Sequence, residues 1–403
     1  MAARKFPTYP LFASKIPSAC FIIDWQGLGH NLAILDAVQK RTKAKILLAL
    51  KAFAAWAFFP AISQAYNGPL FGTCASSVHE ARLGAENFGG EVHCFAAAYE
   101  AEEILELIPL CDHIVFNSVK QWLRFKDLAL STAKRLNRKV SFGLRINPEH
   151  SEGAPAIYDP CAKSSRLGIR LKNFDPSVFE SGITGLHFHT LCEQGADALK
   201  RTLDVCLEKF GPYLQKCSWI NFGGGHHITR ADYDLDLLCS EITKWQKMFG
   251  ATIYLEPGEA IALDAGWLTA TVLDIVEADL PVAILDVSPT CHLPDALEMP
   301  YDPPLFYLDQ GQIVESEPNA TSGFAYHLAG KSCLAGDMLR SSYTFAHELE
   351  VGERLIFGDM AIYSMVKTTT FNGLKLPSIG SISGDEFKLI KSFGYEDFKN
   401  RLS

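Results

Sequence analysis

The stretch ILLALK, residues Ile46–Lys51, begins a pattern that repeats along the first two thirds of the chain. Its consecutive apolar residues are typical of a strand that is buried on both faces, and a lysine ends the run. A lysine at the edge of an apolar core loses water, which penalises its charged form and lowers the pKa of its amine. The stretch therefore predicts a buried strand that ends at a candidate nucleophile, Lys51. The alternative is an ordinary solvated strand end.

Apolar runs of this kind recur up to residue 256, and segments with helical periodicity separate them. Strands that alternate with helices across short polar turns predict a parallel sheet with crossover helices. Eight such units in roughly 230 residues favour a (β/α)8 barrel, a TIM-like fold, over the alternative of a doubly wound open sheet. The predicted strands are Lys45–Leu50, Leu70–Cys74, Glu91–Phe95, His113–Phe116, Val140–Ile146, Gly185–His189, Ser218–Phe222 and Thr252–Leu255.

After Gly258 the pattern changes to short strands joined by turns, and few segments have helical periodicity. A chain of 403 residues also exceeds the usual size of a single core. We therefore predict a barrel of residues 28–262 and a β-rich domain of residues 1–27 plus 263–403, which includes the early strand Cys20–Asp24. The other strands predicted for it are Trp267–Glu277, Val282–Val287, Pro304–Tyr307, Gln312–Glu315 and Arg354–Ile356.

Composition excludes several classes of protein. A net charge of −9 argues against nucleic acid or an anionic membrane as partner and favours a cationic or small-molecule ligand. No apolar run approaches the length of a membrane span, and the start, Met1–Pro7, lacks the apolar core of a signal peptide. The 11 cysteines, without any C-x-x-C, favour reduced thiols in a cytoplasmic protein and disfavour a structural metal site.

Two further strand ends carry residues suited to a cofactor. Alternation along the sixth strand places His187 and His189 on the same face. Three interpretations remain open: polar groups of the core, a pair of metal ligands, or a ring that stacks on a flat cofactor. The seventh strand leads into Gly223–Gly225, whose successive backbone N–H groups could bind a phosphate. A simple tight turn is the alternative there, and we interpret His226 and His227 as residues that flank the turn.

The eighth strand ends at Glu256, and the rigid Pro257–Gly258 follows it. A carboxylate held against a pyridine nitrogen favours the protonated form of that nitrogen. A protonated pyridine is the electron sink that pyridoxal phosphate provides. A capping or salt-bridging glutamate is the alternative for this motif alone, but the lysine, the histidine, the glycine turn and the glutamate lie on four separate strand ends.

These motifs resemble those of the fold type III pyridoxal-phosphate decarboxylases, the alanine-racemase-like barrels that include diaminopimelate and ornithine decarboxylases. Matching segments extend from Ala49–Ala52 to Phe371–Gly373. Two segments, His292–Tyr301 and Gly330–Asp337, most resemble the branch that decarboxylates carboxynorspermidine and carboxyspermidine in polyamine biosynthesis. The resemblance implies pyridoxal 5'-phosphate as cofactor, norspermidine or spermidine as product, and a homodimer with shared active sites.

The resemblance also implies roles for the residues of the barrel. Lys51 would bind the cofactor covalently, His189 would stack on its ring, and Glu256 would pair with the ring nitrogen. Gly224 and Gly225 would bind the phosphate through their backbone amides.

The β-rich domain would complete the site. Tyr363 would donate a hydrogen bond to the phosphate. Cys333 would reach into the partner subunit's site and return a proton after CO₂ leaves. The residues predicted to bind or surround the substrate are Glu259, His292, Asp295, Glu298 and Asp337.

The chain departs from the family pattern at three positions. Relatives often carry arginine where this chain has Glu259, and an anion there suits an ammonium group of the substrate. The sequence His189–Cys192 lacks the serine that related branches place near the phosphate. Leu334 follows Cys333 where amino-acid decarboxylases often have an acidic residue, which argues against ornithine or diaminopimelate as substrate.

Three other functions compete with this prediction. One is a decarboxylase of another basic amino acid, similar to the diaminopimelate enzymes. A second is a metal-dependent barrel hydrolase that uses Lys51 and the four histidines of the strand ends, although we predict no metal. The third is a carrier of pyridoxal phosphate without catalytic activity, but the second domain with Cys333 argues against it.

Overall fold

The computed structural model describes residues 7–152 and 158–403, which form two compact units. The first unit runs from Leu32 to Ile261. The second combines the described residues up to Asn31 with Ala262–Ser403. Strand β1 (Cys20–Asp24) belongs to the second unit, and helix α1 (Trp25–Thr42) crosses the boundary.

Eight parallel strands form a closed barrel in the first unit. They are β2 (Lys45–Ala49), β3 (Gly72–Ala75), β4 (Glu91–Phe95), β5 (His113–Phe116), β6 (Ser141–Arg145), β7 (Ile183–His187), β8 (Trp219–Asn221) and β9 (Thr252–Leu255). Each strand pairs with the next one in the chain, and β2 also pairs with β9, which closes the ring. All eight predicted strands are confirmed, and the alternative of an open sheet was wrong.

Helices alternate with the barrel strands. The serines Ser77 and Ser118 begin two of them, because their side chains accept hydrogen bonds from the backbone N–H groups of Glu80 and Gln121. The helices are α2 (Phe59–Ile62), α3 (Val78–Asn87), α4 (Ala101–Leu110), α5 (Val119–Arg135), α6 (Ala196–Leu214), α7 (Leu235–Phe249) and α8 (Glu259–Ala262).

Side chains fill the interior of the barrel. Leu47, Val115, Trp219 and Tyr254 form a buried apolar cluster there. The indole of Trp219 requires glycine on two neighbouring strands, since a Cβ at Gly143 would lie 2.4 Å from the ring and a Cβ at Gly185 only 2.0 Å. The interior is therefore a packed core, and a ligand can bind only at the rims of the barrel.

The second unit is built on a mixed sheet of ten strands. After β1 its strands are β10 (Gly266–Val276), β11 (Val282–Leu285), β12 (Leu305–Asp309), β13 (Gln312–Pro318), β14 (Phe324–Gly330), β15 (Met338–Phe345), β16 (Arg354–Gly358), β17 (Ser378–Ser383) and β18 (Glu386–Lys391). Three short helices accompany them: α9 (Pro289–His292), α10 (Pro294–Glu298) and α11 (Tyr395–Leu402).

Strand β1 lies inside this sheet, antiparallel to β10 and parallel to β17. The early strand thus pairs within the β-rich unit. Strands β14, β15, β17 and β18 were not predicted, because polar and apolar residues mix along them and they bury only part of their length. In the part of the chain that the structure describes, no helix is both long and apolar enough to cross a membrane.

Candidate active site

The residues that the sequence placed at the ends of strands lie at the carboxyl rim of the barrel. Glu256 follows β9 directly, and Lys51 follows β2 after one residue. His189 comes two residues after the end of β7, and Gly223–Gly225 begins two residues after the end of β8. Because the carboxyl ends of parallel strands in a closed barrel meet at one rim, these groups share one site.

Lys51 has an accessible side chain, although barrel atoms surround its amine. The loss of water around the amine is the main cause that lowers its pKa, and the nearby charge of Arg145 lowers it further. The carboxylates of Glu256 and Glu259 oppose this effect only in part. Lys51 forms no ion pair with a described residue, and its lowered pKa favours the neutral form of the amine that a nucleophile requires.

Glu256 is buried, and each of its two carboxylate oxygens has a polar partner. Its Oε2 lies 3.1 Å from Nε2 of His187, and its Oε1 accepts a hydrogen bond of 2.7 Å from Nδ2 of Asn221. Burial alone would raise the pKa of Glu256, but the interaction with His187 outweighs it and the pKa falls to about 2. The carboxylate therefore stays ionised at neutral pH, as a partner of a cationic ring nitrogen must be.

His189 is held as a neutral imidazole. Its Nδ1 accepts a hydrogen bond of 3.0 Å from the backbone N–H of Gly224, which places the ring proton on Nε2. Burial is the main cause that lowers the pKa of His189, and the charge of Lys51 adds to it. A flat, neutral ring at this rim suits stacking on another ring.

The same rim contains a possible set of metal ligands. Donor atoms of His187, His189 and Glu256 all lie within 4.8 Å of one another. Within the described ranges, His226 and His227 do not join this group. The four histidines that the hydrolase alternative required are therefore not one cluster.

The glycine turn is built for close backbone contacts. A Cβ at Gly223 would lie 2.3 Å from the carbonyl oxygen of Phe188, and a Cβ at Gly225 would lie 2.0 Å from that of Leu191. The N–H of Gly224 is engaged by His189, whereas that of Gly225 makes no hydrogen bond to a described residue. The N–H of Gly225 is thus better placed than that of Gly224 to donate a hydrogen bond to an anion.

Glu259, predicted to hold an ammonium group, already has a partner in the barrel. Its Oε2 lies 2.8 Å from Nε2 of His227. Burial alone would lower the pKa of His227, but the hydrogen bond to Glu259 raises it above its usual value. Glu259 therefore already has a hydrogen-bond partner inside the barrel, which weakens the case for the predicted contact with an ammonium group.

Arg145, at the end of β6, was missed by the sequence interpretation. Its Nη2 donates a hydrogen bond of 2.9 Å to the carbonyl oxygen of His189, and its guanidinium lies 4.6 Å from the ring centroid of Phe95. Burial lowers its pKa to about 10, so it remains cationic at neutral pH. The available signal was an arginine inside the otherwise apolar run Val140–Ile146.

In the β-rich unit, Cys333 is exposed and held by Asn372. The backbone N–H of Cys333 lies 3.0 Å from Oδ1 of Asn372, and its Sγ lies 3.1 Å from the same atom. Because a backbone N–H can only donate, the atom facing the thiol is the amide oxygen, and the thiol directs its proton toward it. Asn372 was part of a matched segment but had been given no role.

Two predicted substrate residues instead support the fold of this unit. Asp337 is buried and accepts hydrogen bonds of 2.7 Å from Oγ of Ser288 and 2.9 Å from the N–H of Thr290. His292 is buried as well, its Nδ1 accepts from the N–H of Ser288 at 3.0 Å, and burial lowers its pKa to about 4. These hydrogen bonds position both side chains inside the unit, and a contact of either residue with substrate stays a prediction.

The two remaining carboxylates bind a lysine. Nζ of Lys367 lies 2.5 Å from Oδ1 of Asp295 and 2.7 Å from Oε2 of Glu298. The same Nζ lies 5.6 Å from the ring centroid of Tyr363, whose backbone has a left-handed φ of 44°. In this structure the two carboxylates therefore form salt bridges with Lys367.

Fold and site together define the class of protein. A closed (β/α)8 barrel and a β-rich unit, with an amine nucleophile beside a fixed carboxylate on the carboxyl rim, are the architecture of the alanine-racemase-like, fold type III enzymes. A family model described as pyridoxal-dependent decarboxylase, C-terminal sheet domain, matches residues 20–361. The chain belongs to the pyridoxal-dependent decarboxylases.

Individual relatives match over nearly the whole length. The chain is 43% identical over 392 residues to carboxyaminopropylagmatine decarboxylase of Synechocystis sp., which covers 96% of each chain. It is 38% identical over 398 residues to carboxynorspermidine/carboxyspermidine decarboxylase of Campylobacter jejuni, which covers 97% of this chain and 100% of the relative.

A solved structure matches equally well. The crystal structure of carboxynorspermidine decarboxylase complexed with norspermidine from Campylobacter jejuni has a TM-score of 0.82 and 37% identity, over 96% of this chain and 100% of that one. These comparisons confirm the predicted fold class, the predicted resemblance and the predicted class of enzyme. They give no support to the metal-dependent hydrolase.

Proposed function

We propose that this protein removes CO₂ from a carboxylated polyamine, carboxynorspermidine or carboxyspermidine, and releases norspermidine or spermidine. The observation that carries the proposal is that Lys51, whose side chain is accessible and whose pKa is lowered, lies at the same rim as the ionised, buried carboxylate of Glu256. It gains support from the near full-length similarity to the Campylobacter jejuni enzyme.

The residues of the barrel rim fit pyridoxal 5'-phosphate. Lys51 offers an amine for the aldehyde, Glu256 an anion for the ring nitrogen, and His189 a neutral ring for stacking. Gly225 offers a backbone N–H for the phosphate, and Tyr363 remains the predicted phosphate contact from the β-rich unit. When bound, the cofactor supplies a sink for the electrons of the broken carbon–carbon bond.

The protein's own groups control the protons of the reaction. Loss of water lowers the pKa of Lys51 and so favours its neutral, nucleophilic form, and the contacts with His187 and Asn221 hold Glu256 in its charged form. Cys333 would return a proton to the carbon that loses CO₂, since Asn372 holds its S–H at an exposed position. Transfer from a positioned acid contributes roughly 10²–10⁴-fold to a rate.

Carboxylates would select the substrate by its distal cations. Asp295 and Glu298 already bind an ammonium in this structure, and a charge-assisted hydrogen bond contributes about 1.5–3 kcal/mol. The predicted contact of Glu259 with an ammonium has less support, because the same carboxylate already pairs with His227.

A second substrate has its own support. The identity to the Synechocystis sp. carboxyaminopropylagmatine decarboxylase is 43%, above the 38% to the Campylobacter jejuni enzyme. That substrate ends in a guanidinium where carboxyspermidine ends in an ammonium, and the two cations differ in shape and in the number of hydrogen bonds they donate. The two candidate functions therefore differ in the cation at the distal end of the substrate, a guanidinium or an ammonium.

Product analysis tests both candidates. Purified protein loaded with pyridoxal 5'-phosphate is incubated separately with carboxynorspermidine, carboxyspermidine and carboxyaminopropylagmatine, and CO₂ and product are measured, with Lys51→Ala as the control. We expect kcat/KM for one of the three to exceed that for diaminopimelate or ornithine by at least about 100-fold. CO₂ release from the amino acids alone would contradict the proposal.

We also propose a homodimer whose sites combine Lys51 of one subunit with Cys333 of its partner; the cytoplasmic location likewise remains a prediction. Mixed and reassociated Lys51→Ala and Cys333→Ala subunits should regain up to about a quarter of wild-type activity, because half of the dimers are mixed and each has one intact site. Recovery of no activity, with mixed dimers demonstrated by mass, would contradict shared sites.

A further inference from the structure

The loop that carries Cys333 joins β14 to β15 and is held by hydrogen bonds of its own. The carboxylate of Asp337 accepts a hydrogen bond of 3.3 Å from the backbone N–H of Ser332. The N–H of Asp337 donates to the carbonyl oxygen of Leu334 at 2.9 Å, and the N–H of Leu334 donates to Oγ of Ser332 at 3.3 Å. The backbone on both sides of Cys333 is therefore fixed within the loop.

A second segment of the same unit reaches the thiol. Asn372 lies in the short turn Phe371–Gly373, and just before this turn the N–H of Thr369 donates to the carbonyl oxygen of Cys291 at 2.9 Å. The backbone of Asn372 has a left-handed φ of 56°, which asparagine adopts more readily than most residues. The sequence thus provides an amide side chain at a position whose backbone also suits glycine.

One oxygen accepts both hydrogen bonds that Cys333 can donate. Oδ1 of Asn372 lies 3.0 Å from the backbone N of Cys333 and 3.1 Å from its Sγ. This shared acceptor fixes the orientation of the side chain, because Sγ must lie on the same side as the N–H. An amide oxygen accepts hydrogen bonds but donates none, so it stabilises an S–H group and offers nothing to a thiolate.

We propose that Asn372 is a positioning residue for the return of the proton, and that it holds the thiol of Cys333 in its protonated form and in one orientation. This inference rests on the proposed function, in which the proton passes from Sγ to the carbon that has lost CO₂. The thiolate that remains then regains a proton from water before the next turnover. Without the oxygen of Asn372 the thiol turns freely, and the electron pair left by CO₂ can take a proton at another atom.

The infrared S–H stretch of Cys333 tests the contact without any substrate. The spectrum of Cys333→Ser is subtracted from that of the full-length, cofactor-loaded protein, which isolates the band of this thiol. A hydrogen bond lowers the frequency of an S–H stretch. Asn372→Gly removes the acceptor and keeps the left-handed backbone, so the band should move to higher frequency. Asn372→Asp replaces the amide by a stronger acceptor, so the band should move to lower frequency.

Product analysis measures the consequence for the reaction. Asn372→Gly should lower kcat about tenfold or more while KM stays within about twofold, because the acid is no longer positioned but substrate still binds. The amount of polyamine formed per CO₂ should fall below one, since part of the protons arrive at another atom. Asn372→Asp should keep this ratio at one, because it retains an acceptor for both groups of Cys333.

A matched control separates this contact from a general effect of losing an asparagine. Asn319 lies in the same unit, has a left-handed φ of 55°, and its Oδ1 accepts a hydrogen bond of 3.3 Å from the backbone N–H of Ser342. Asn319→Gly removes the same kind of contact at a distance from Cys333 in sequence. Its S–H band and its ratio of polyamine to CO₂ should equal those of the wild type, and its kcat should stay within about twofold.

An asparagine that only supports the fold predicts different results. The inference is overturned if the S–H band does not move in Asn372→Gly, or if that variant keeps one polyamine per CO₂ with a kcat within about twofold of the wild type. If Asn372→Gly does not fold, the band of Asn372→Asp decides, and an unshifted band overturns the inference. A wild type that releases no CO₂ from any carboxylated polyamine overturns the proposed function itself, whereas CO₂ release with a band that is insensitive to Asn372 overturns only this inference.

Discussion

The two rims of the barrel have similar residues, but these residues contact different partners at each rim. The carboxyl rim has Lys51 and Glu256 with a pair of histidines. The amino rim, where the strands begin, has Lys45 and Glu91, again with a pair of histidines. Composition alone would assign the same chemistry to both ends of the barrel.

The partner of the glutamate makes the difference. At the amino rim Lys45 binds Glu91 directly, and Tyr254 adds a hydrogen bond of 2.9 Å to the same carboxylate. At the carboxyl rim the glutamate is held by His187 and Asn221, so its lysine has no ion pair with a described residue. A lysine can act as a nucleophile where the nearby carboxylate is hydrogen-bonded by histidine and asparagine and therefore does not form an ion pair with the lysine.

The histidines differ as well. His93 and His113 at the amino rim stack with ring centroids 3.9 Å apart and an interplanar angle of 11°. The nitrogen lone pairs of parallel rings lie in parallel planes, so they do not converge on one metal ion. This cluster, with Glu91, is therefore organised as a packed polar core although its donor atoms lie close together.

Replacing the lysine of each rim, Lys51 or Lys45, should give the largest difference in activity between the two rims. Lys51→Met should lower kcat/KM at least about 10⁴-fold, because the nucleophile is lost. Borohydride should then no longer fix pyridoxal 5'-phosphate to the protein. The counterpart Lys45→Met should keep both properties, and a comparable loss of activity in it would remove the distinction between the rims.

Neutralising each glutamate should have the next largest effect. Glu256→Gln should lower kcat roughly 10²–10³-fold, because an amide cannot stabilise a cationic ring nitrogen. Steady-state kinetics with saturating cofactor measures it. Glu91→Gln serves as the control with the same chemical change, and we expect its kcat to stay within about threefold of the wild type once the folded fraction is matched.

The amino rim should matter for stability. Lys45→Met breaks a half-buried ion pair and should lower the free energy of unfolding by about 1–3 kcal/mol, measured by urea denaturation. Lys51→Met breaks no such pair and should be neutral or stabilising. Equal stability of the two variants would show that the pairing of Lys45 is unimportant.

The smallest effect concerns pH. Burial, with the charge of His93, lowers the pKa of His113 to about 2, whereas an unfolded histidine titrates near 6.5. Below pH 6.5 the unfolded chain therefore binds a proton that the folded protein does not, and stability falls as the pH falls. His113→Phe should reduce this slope by up to about 1.4 kcal/mol per pH unit, measured by denaturation between pH 6.5 and 5. An unchanged slope would show that His113 does not contribute.

The barrel and its rim were predictable because their signals are local in sequence. Each barrel strand is a short apolar run, and Lys51 and Glu256 follow their strands within two residues. Period-two alternation was enough to bring His187 and His189 to one side. The sequence could not indicate that Glu256 would be held by His187 and Asn221, since that depends on how strands meet around the ring.

The β-rich unit was less predictable because its contacts join distant segments. Asn372 holds Cys333 across 39 residues, and Lys367 binds Asp295 across 72. Motifs identified Cys333 and Asp295, but neither partner has a local pattern. The burial of His292 at the end of the short helix α9 likewise leaves no periodic signal in the sequence.

The position of β1 has a consequence for how the chain is made. Strand β1 is synthesised first but lies in its sheet between β10 and β17, and β17 ends only at Ser383. The barrel segment is continuous and can fold on the ribosome, as N-terminal domains generally do. The sheet, in contrast, cannot be completed before β17 is synthesised, so a nascent chain that lacks β17 exposes the apolar residues of β1 to aggregation and to chaperones.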